Sequence, residues 1–400
     1  MNAILFQAIQ TKRNRRSGFT LVELLTVVVI ISMLAGMSML VLSGTMTAAK
    51  ESKTRGTIAK LDAAILDIYE SYQERFENGI PISDAQLASA GINMTTNPID
   101  PINPSYVIDS NLPVAQQEII REKIRKKIRL VAQLHFINDI MRMEMPFSWD
   151  EVQYGPIHIG TTSGLCADIP PVFTYYRYAL DSIDGNHDGN PIAANANSQS
   201  PSSELLFLII ANLNPEALES FHGSEIGDVD GNGLREFHDA WGNPIHFIRL
   251  APALVGSDLQ PDVITASNFP LIGKPNDVVN KWRNPLTVID IDWDMNTTTL
   301  TTPQKELVAA MSNTGYSDPF DPDGIINRTW FLYPLIVSGG ADGIVDLNFG
   351  TDFPSATLLV PITNIWAPTR TALGLPIDMD DNGVLNHYDN IHNHRSSNSF

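Results

Sequence analysis

Arg15-Arg16-Ser17-Gly18-Phe19-Thr20-Leu21-Val22-Glu23-Leu24-Leu25 leads into an uncharged apolar run that extends from Leu24 to about Gly44. As a helix, about 20 such residues rise about 30 Å, the depth of a bilayer's hydrocarbon core. Lys12, Arg13, Arg15 and Arg16 precede the run, and residues 1–18 contain no acid. Positive charge ahead of an apolar span predicts a cytoplasmic N-terminus. A secretory signal has a shorter core, about 7–15 residues, followed by a small-residue cleavage site. Here the chain continues through Thr45-Met46-Thr47-Ala48-Ala49-Lys50 with helical character. A simple uncleaved anchor is the competing reading, and Glu23 argues against it. A carboxylate at membrane depth costs about 2.5–3.5 kcal/mol, less near the interface, and an anchor gains nothing from it. It is useful if a cation is supplied, such as the free α-amino group of a chain beginning at Phe19.

The stretch Arg15–Leu25 resembles the prepilin leader and cleavage motif of type IV pilins and type II secretion pseudopilins. The resemblance implies that a prepilin peptidase cuts after Gly18 and N-methylates Phe19. It also implies that Glu23, at the fifth mature position, neutralises the N-terminal amine of a neighbouring subunit during filament assembly. Removing residues 1–18 takes away four bases and no acid, so the formal charge falls from −19 to −23.

Beyond the apolar run, Ile58, Leu61, Ile65, Ile68, Tyr72 and Phe76 recur every three or four residues among charged ones, which predicts that the helix continues. Asn78-Gly79 followed by Pro81 predicts its stop. Residues 80–113, rich in Pro and Asn, read as loop. Residues 114–145 read as a second helix. One side of it is apolar, and the other carries Arg121, Lys123, Arg125, Lys126, Lys127 and Arg129. That basic side suits either acidic lipid headgroups or, the favoured reading, the protein's own acidic half. After Pro146, short strand-like runs appear at Phe173–Ala179, Ile245–Leu250, Leu286–Ile291, Phe331–Val337 and Thr357–Val360. Leu205–Leu213 reads as a buried helix, and residues 184–203 as a mobile loop.

The charge is unevenly distributed. Residues 1–150 carry 16 basic and 15 acidic side chains, and residues 151–400 carry 10 and 30. Such a body repels phosphates, which excludes a nucleic-acid partner, and it attracts cations. The single Cys166 can form neither an intrachain disulfide nor a thiolate metal site. No hydrolase, P-loop or dinucleotide signature appears, so no enzyme is expected. His387, His392 and His394 could bind a transition metal, although a polar tail is the simpler reading.

Two segments share the spacing D-x-D-x-N-G-x5-D: Asp228, Asp230, Asn232 and Asp239, then Asp378, Asp380, Asn382 and Asp389. Oxygen ligands at positions 1, 3, 5 and 12 with Gly at 6 match a calcium loop, although Asp replaces the usual Glu at 12. No exiting helix follows Asp239, so isolated calcium loops are expected, with plain Asx turns as the alternative. Asp184-Gly185-Asn186-His187-Asp188-Gly189 is a weaker third copy.

Asp239-Ala240-Trp241-Gly242-Asn243-Pro244 resembles a hairpin of the major pseudopilin. Ser338-Gly339-Gly340-Ala341-Asp342-Gly343 and Asp389-Asn390-Ile391-His392-Asn393-His394 resemble two later segments of that family. In the family those two flank a calcium loop, which makes Asp342 and Asp389 metal candidates by resemblance.

Together these readings predict an α+β fold of pilin-like type. A long N-terminal helix, transmembrane in its first half, packs on a C-terminal antiparallel β-sheet head with large loop and helix insertions. The expected divisions are a leader at 1–18, the helix at 19–79 with its span at about 24–44, an inserted region at 80–230, and the β head at 231–400. The expected function is that of a structural pseudopilin in a type II secretion filament, in the inner membrane, with a periplasmic head ordered by Ca2+. The implied partners are prepilin peptidase, other pseudopilin subunits, the inner-membrane secretion platform and the lipid bilayer. A type IV pilus or minor pilin subunit, or an anchored periplasmic binding domain, remain the alternatives.

Overall fold

No proline interrupts residues 21–77, and in the computed structural model they form one helix, α1 (Leu21–Glu77). The structure describes residues 20–95, 97–100, 106–159, 165–251, 254, 257, 333–349, 359–360, 374 and 390–394. The chain divides into two units, residues 1–49 and 50–400, and α1 contributes to both.

In the first unit, Leu21–Ser38 is long and apolar enough to cross a membrane, and none of it is buried. The hydroxyls of Thr26, Ser32 and Ser38 donate to the carbonyls of Val22, Val28 and Leu34, each at 2.8 Å. A hydroxyl satisfied four residues back needs no water, as a helix in lipid requires.

In the second unit, Ile58, Leu61, Ile65, Ile68 and Tyr72 are buried on one side of α1. Just past the end of the helix comes Gly79, whose φ of 79° is open to glycine at little cost. Among the described residues, five further α-helices follow: α2 (Asp84–Ser89), α3 (Val114–Glu144), α4 (Trp149–Gln153), α5 (Pro171–Ile183) and α6 (Pro201–Leu213). The strands are β1 (His158–Ile159), β2 (Ile226–Gly227), β3 (Glu236–Phe237), β4 (Ile245–Ile248), β5 (Leu335–Ser338), β6 (Leu359–Val360) and β7 (Ile391–His392). β4, β5 and β7 form an antiparallel sheet with β5 in the centre; β2 and β3 pair antiparallel, and β1 and β6 parallel. The result is a mixed helical unit with small sheets, compatible with α+β. One contiguous core joins residues of α1, α3, α5 and α6 to Phe237, Ile245, Phe247, Leu335 and Val337 of the strands.

Several expectations change here. The expected strand at Phe173–Ala179 is helix α5, because Phe173, Tyr176, Leu180 and Ile183 recur at helical spacing on its buried face, and Pro171 suits its first turn. The expected loop at 80–113 contains α2, started by a capping box between Ser83 and Gln86. Residues 184–203 hold a 3-10 turn at Ala193–Asn195 and the start of α6. The basic side of α3 pairs with nearby acids: Arg121 with Glu118, Arg125 with Glu118 and Glu122, Lys127 with Asp100, and Arg129 with Asp84. None of these acids lies in residues 151–400. His392 and His394 are buried at the sheet rather than in a polar tail. The expected strand at Leu286–Ile291 lies outside the described residues.

Candidate functional site

The first site is the beginning of α1. Thr20 donates through its N–H (2.8 Å) and its hydroxyl (2.9 Å) to Glu23 Oε2, and Glu23 N–H donates back to Thr20 Oγ1 at 3.2 Å. This reciprocal pair is a capping box, with Thr20 as the cap and Glu23 three residues on. It satisfies two amides at the helix start and puts negative charge at the positive end of the helix dipole. Gly18 and Phe19 lie outside the described residues.

The second site gathers around the loop between β2 and β3. Asp228 closes the loop: its carboxylate accepts from the N–H groups of Gly231 (2.7 Å), Asn232 (3.1 Å) and Gly233 (3.1 Å). Gly231 and Gly233 have φ of 76° and 97°, the region that favours glycine. Asp230 accepts from Gln199 N–H at 2.9 Å, and Asn232 donates to Glu204 Oε1 at 2.7 Å. Glu204 stands in the first turn of α6, which packs on β3, and its other oxygen accepts from the Trp149 indole at 2.8 Å. Glu236 in β3 is fully buried; Oε2 accepts from Val229 N–H at 2.9 Å, and Oε1 has no hydrogen-bond partner. One carboxylate oxygen from each of Glu204, Asp230 and Glu236 lies within 4.8 Å of the other two. Burial is the main influence pushing the Glu236 carboxyl up to about 7; the charges of Asp230, Glu204 and Asp228 add to it, and the Val229 N–H opposes it. Burial also raises Glu204.

The remaining expected ligands sit elsewhere. Asp239 is buried in the Trp241-Gly242-Asn243-Pro244 turn. It accepts from Trp241 N–H (2.8 Å), Asn243 N–H (2.9 Å) and the Ser338 hydroxyl (2.7 Å). Asn243 reaches Gly340 O at 2.9 Å, so the hairpin and the Ser338–Gly343 segment meet directly. Asp342 is exposed and accepts from Ile344 N–H at 2.9 Å. Asp378, Asp380, Asn382 and Asp389 lie outside the described residues. Sequence reasoning missed Glu204 and Glu236. Glu236 stands at the ninth position of the loop, a common ligand position, so its signal was available; Glu204 is the one acid of α6, and no local spacing ties it to the loop.

Comparison with family models decides the first site. Residues 13–39 are a prokaryotic N-terminal methylation motif. This motif is the prepilin-type signal of type IV pilins and pseudopilins. It implies processing by prepilin peptidase and assembly with other pilin subunits, and it supports a type IV pilin-like exported subunit with a structural role. With the apolar helix that follows, the methylation motif is consistent with membrane anchoring. Comparison with curated proteins and with solved structures gave no match.

Proposed function

We propose that the chain is a pseudopilin: a structural subunit of a type II secretion filament, cut after Gly18, N-methylated at Phe19 and held in the inner membrane until assembly. The observation that carries the reading is the methylation motif at 13–39, whose residues from Leu21 to Ser38 form an exposed apolar helix. A helix exposed along Leu21–Ser38 needs an apolar environment on all sides, which lipid supplies first and neighbouring helices in a filament supply later. Glu23 sets the register between subunits. Its two bonds to Thr20 both use Oε2, so the carboxylate has capacity for the charged amine of a neighbouring Phe19. Residues 50–400 form the periplasmic head. The hairpin at Asp239–Pro244, packed on the Ser338–Gly343 segment, favours a type II secretion pseudopilin over a pilus pilin, because both segments carry the resemblance to the major pseudopilin.

Mass spectrometry of chain purified from envelopes tests the processing, with N-methylated Phe19 expected as the first residue. Crosslinking of envelope assemblies tests the register: Glu23→Leu should be cleaved normally yet fail to form multimers. A mature terminus elsewhere, or normal multimers in Glu23→Leu, defeats the reading.

A further inference from the structure

The loop between β2 and β3 holds an electrostatic problem that hydrogen bonding leaves unsolved. Glu236 Oε1 is buried, has no hydrogen-bond partner, and belongs to a carboxylate grouped with two others. A buried carboxylate oxygen with neither donor nor cation is strongly disfavoured, and two further carboxylates nearby raise the cost. Such a site is completed by a proton or by a metal ion.

We infer that Glu204, Asp230 and Glu236 form a calcium site, with Asp228 bracing the loop from behind. The three ligands come from three elements: the first turn of α6, the loop, and β3. All are hard oxygen donors, which suits Ca2+ and disfavours metals that prefer nitrogen or sulfur. Two oxygens bound to one calcium ion at about 2.3–2.6 Å each can stand up to about 5 Å apart across it. The 4.8 Å limit on the separations in this cluster falls within that span. Asp230 and Glu204 already take hydrogen bonds from Gln199, Asn232 and Trp149, which aim their carboxylates and leave lone pairs free. Asp228 spends its carboxylate on three backbone amides, so its part is to shape the loop. The ligand set thus differs from a loop read in sequence order: Asp239 leaves it, and Glu204 and Glu236 enter. With one oxygen each, three residues fill part of calcium's six to eight positions, and bidentate binding or water completes the sphere. The inference does not depend on the filament reading, since it concerns residues 50–400 alone.

The test uses the full chain in detergent, stripped of metal. Calcium should raise its melting temperature by several degrees. Terbium, which takes calcium's place among oxygen ligands, should luminesce when tryptophan is excited, because Trp149 donates directly to Glu204. Glu236→Gln keeps the shape and the Val229 bond, so it should fold, melt higher than wild type without metal, and lose both responses. Asp230→Asn should lose them as well, and Asp342→Asn should retain them. The inference is overturned if calcium leaves the wild-type melt unchanged, which would mean the cluster holds a proton. It is also overturned if Glu236→Gln and Asp230→Asn respond like wild type, which would place the cation elsewhere.

Discussion

In the apolar half of α1, hydroxyls find partners four residues away, Thr26 on Val22 and Ser32 on Val28. Residues 50–400 have such local bonds too, but they add partners distant in sequence: Thr57 and Glu225 are 168 residues apart, Ser338 and Asp239 are 99 apart, and Asn393 and Asp62 are 331 apart. The difference fits the surroundings that the exposed apolar stretch Leu21–Ser38 calls for. A helix in lipid has no water to fall back on, so its polar groups must be satisfied within the helix. A folded body can bring remote groups together, and its polar pairs then bear on the whole tertiary structure. Losing a partner should therefore be cheap in the first region and costly in the second.

The comparison predicts its largest effect at Arg249. Its guanidinium grips Glu151 with two bonds of 2.9 and 2.8 Å and also reaches Met145 O, tying the chain just past β4 to α4 and to the residue that follows α3. Both side chains are almost fully buried. Arg249→Leu takes the cationic partner away from the buried Glu151 carboxylate, and should cost about 3–5 kcal/mol in chemical denaturation. Arg249→Leu combined with Glu151→Leu should recover much of that loss. A small effect of the single variant would break the comparison.

The same contrast explains what could be read in advance. The stripe from Ile58 to Tyr72 and the start of α1 rest on spacings of three or four residues, so both were legible. Phe173–Ala179 misled because its aromatic and β-branched residues suit a strand as well as a buried helix face, and the tertiary face decided. α2 is one short turn whose Ser83–Gln86 signal is local but weak. The Asp228–Gly233 loop was legible as a loop. Its carboxylate partner was not, because Glu204 belongs to a helix far upstream and meets the loop through the packing of α6 on β3. The sheet order, with β5 between β4 and β7, depends on contacts between strands dozens of residues apart, which periodicity cannot supply.

A second prediction concerns pH. His394 is fully buried; its Nε2 lies 3.1 Å from Pro334 O and its Nδ1 lies 2.9 Å from Ser257 Oγ. A carbonyl only accepts, so Nε2 carries the proton and Nδ1 accepts from Ser257. Desolvation lowers its pKa to about 4, against the raising effect of the backbone carbonyls. The unfolded chain, with an ordinary histidine near 6.5, therefore binds a proton that the folded chain refuses. Stability should be intact above about pH 6.5, fall as pH drops below it, and level out for this group below about 4. The loss is at most about 3.4 kcal/mol, at 1.36 kcal/mol per unit. Denaturation of wild type and His394→Asn across this window checks it: the variant should show a shallower slope. Equal slopes would mean that the acid sensitivity arises elsewhere.

The smallest effect belongs at the start of α1. Thr20→Ala removes the hydroxyl that accepts from Glu23 N–H and one of the two donors to Glu23 Oε2, and no residue of the second unit is involved. An N-cap of this kind is worth about 1 kcal/mol. Because the loss is local, it should leave the cooperative melt of residues 50–400 where it was. It should instead appear as an increase of about fivefold in hydrogen exchange of the amides in the first turn of α1, which is 1 kcal/mol expressed as an equilibrium. Thr20→Ser keeps the hydroxyl and should exchange like wild type. If Thr20→Ala lowers the melt of the second unit as well, polar partners at the two ends of α1 are coupled, and the division into locally and remotely satisfied regions fails.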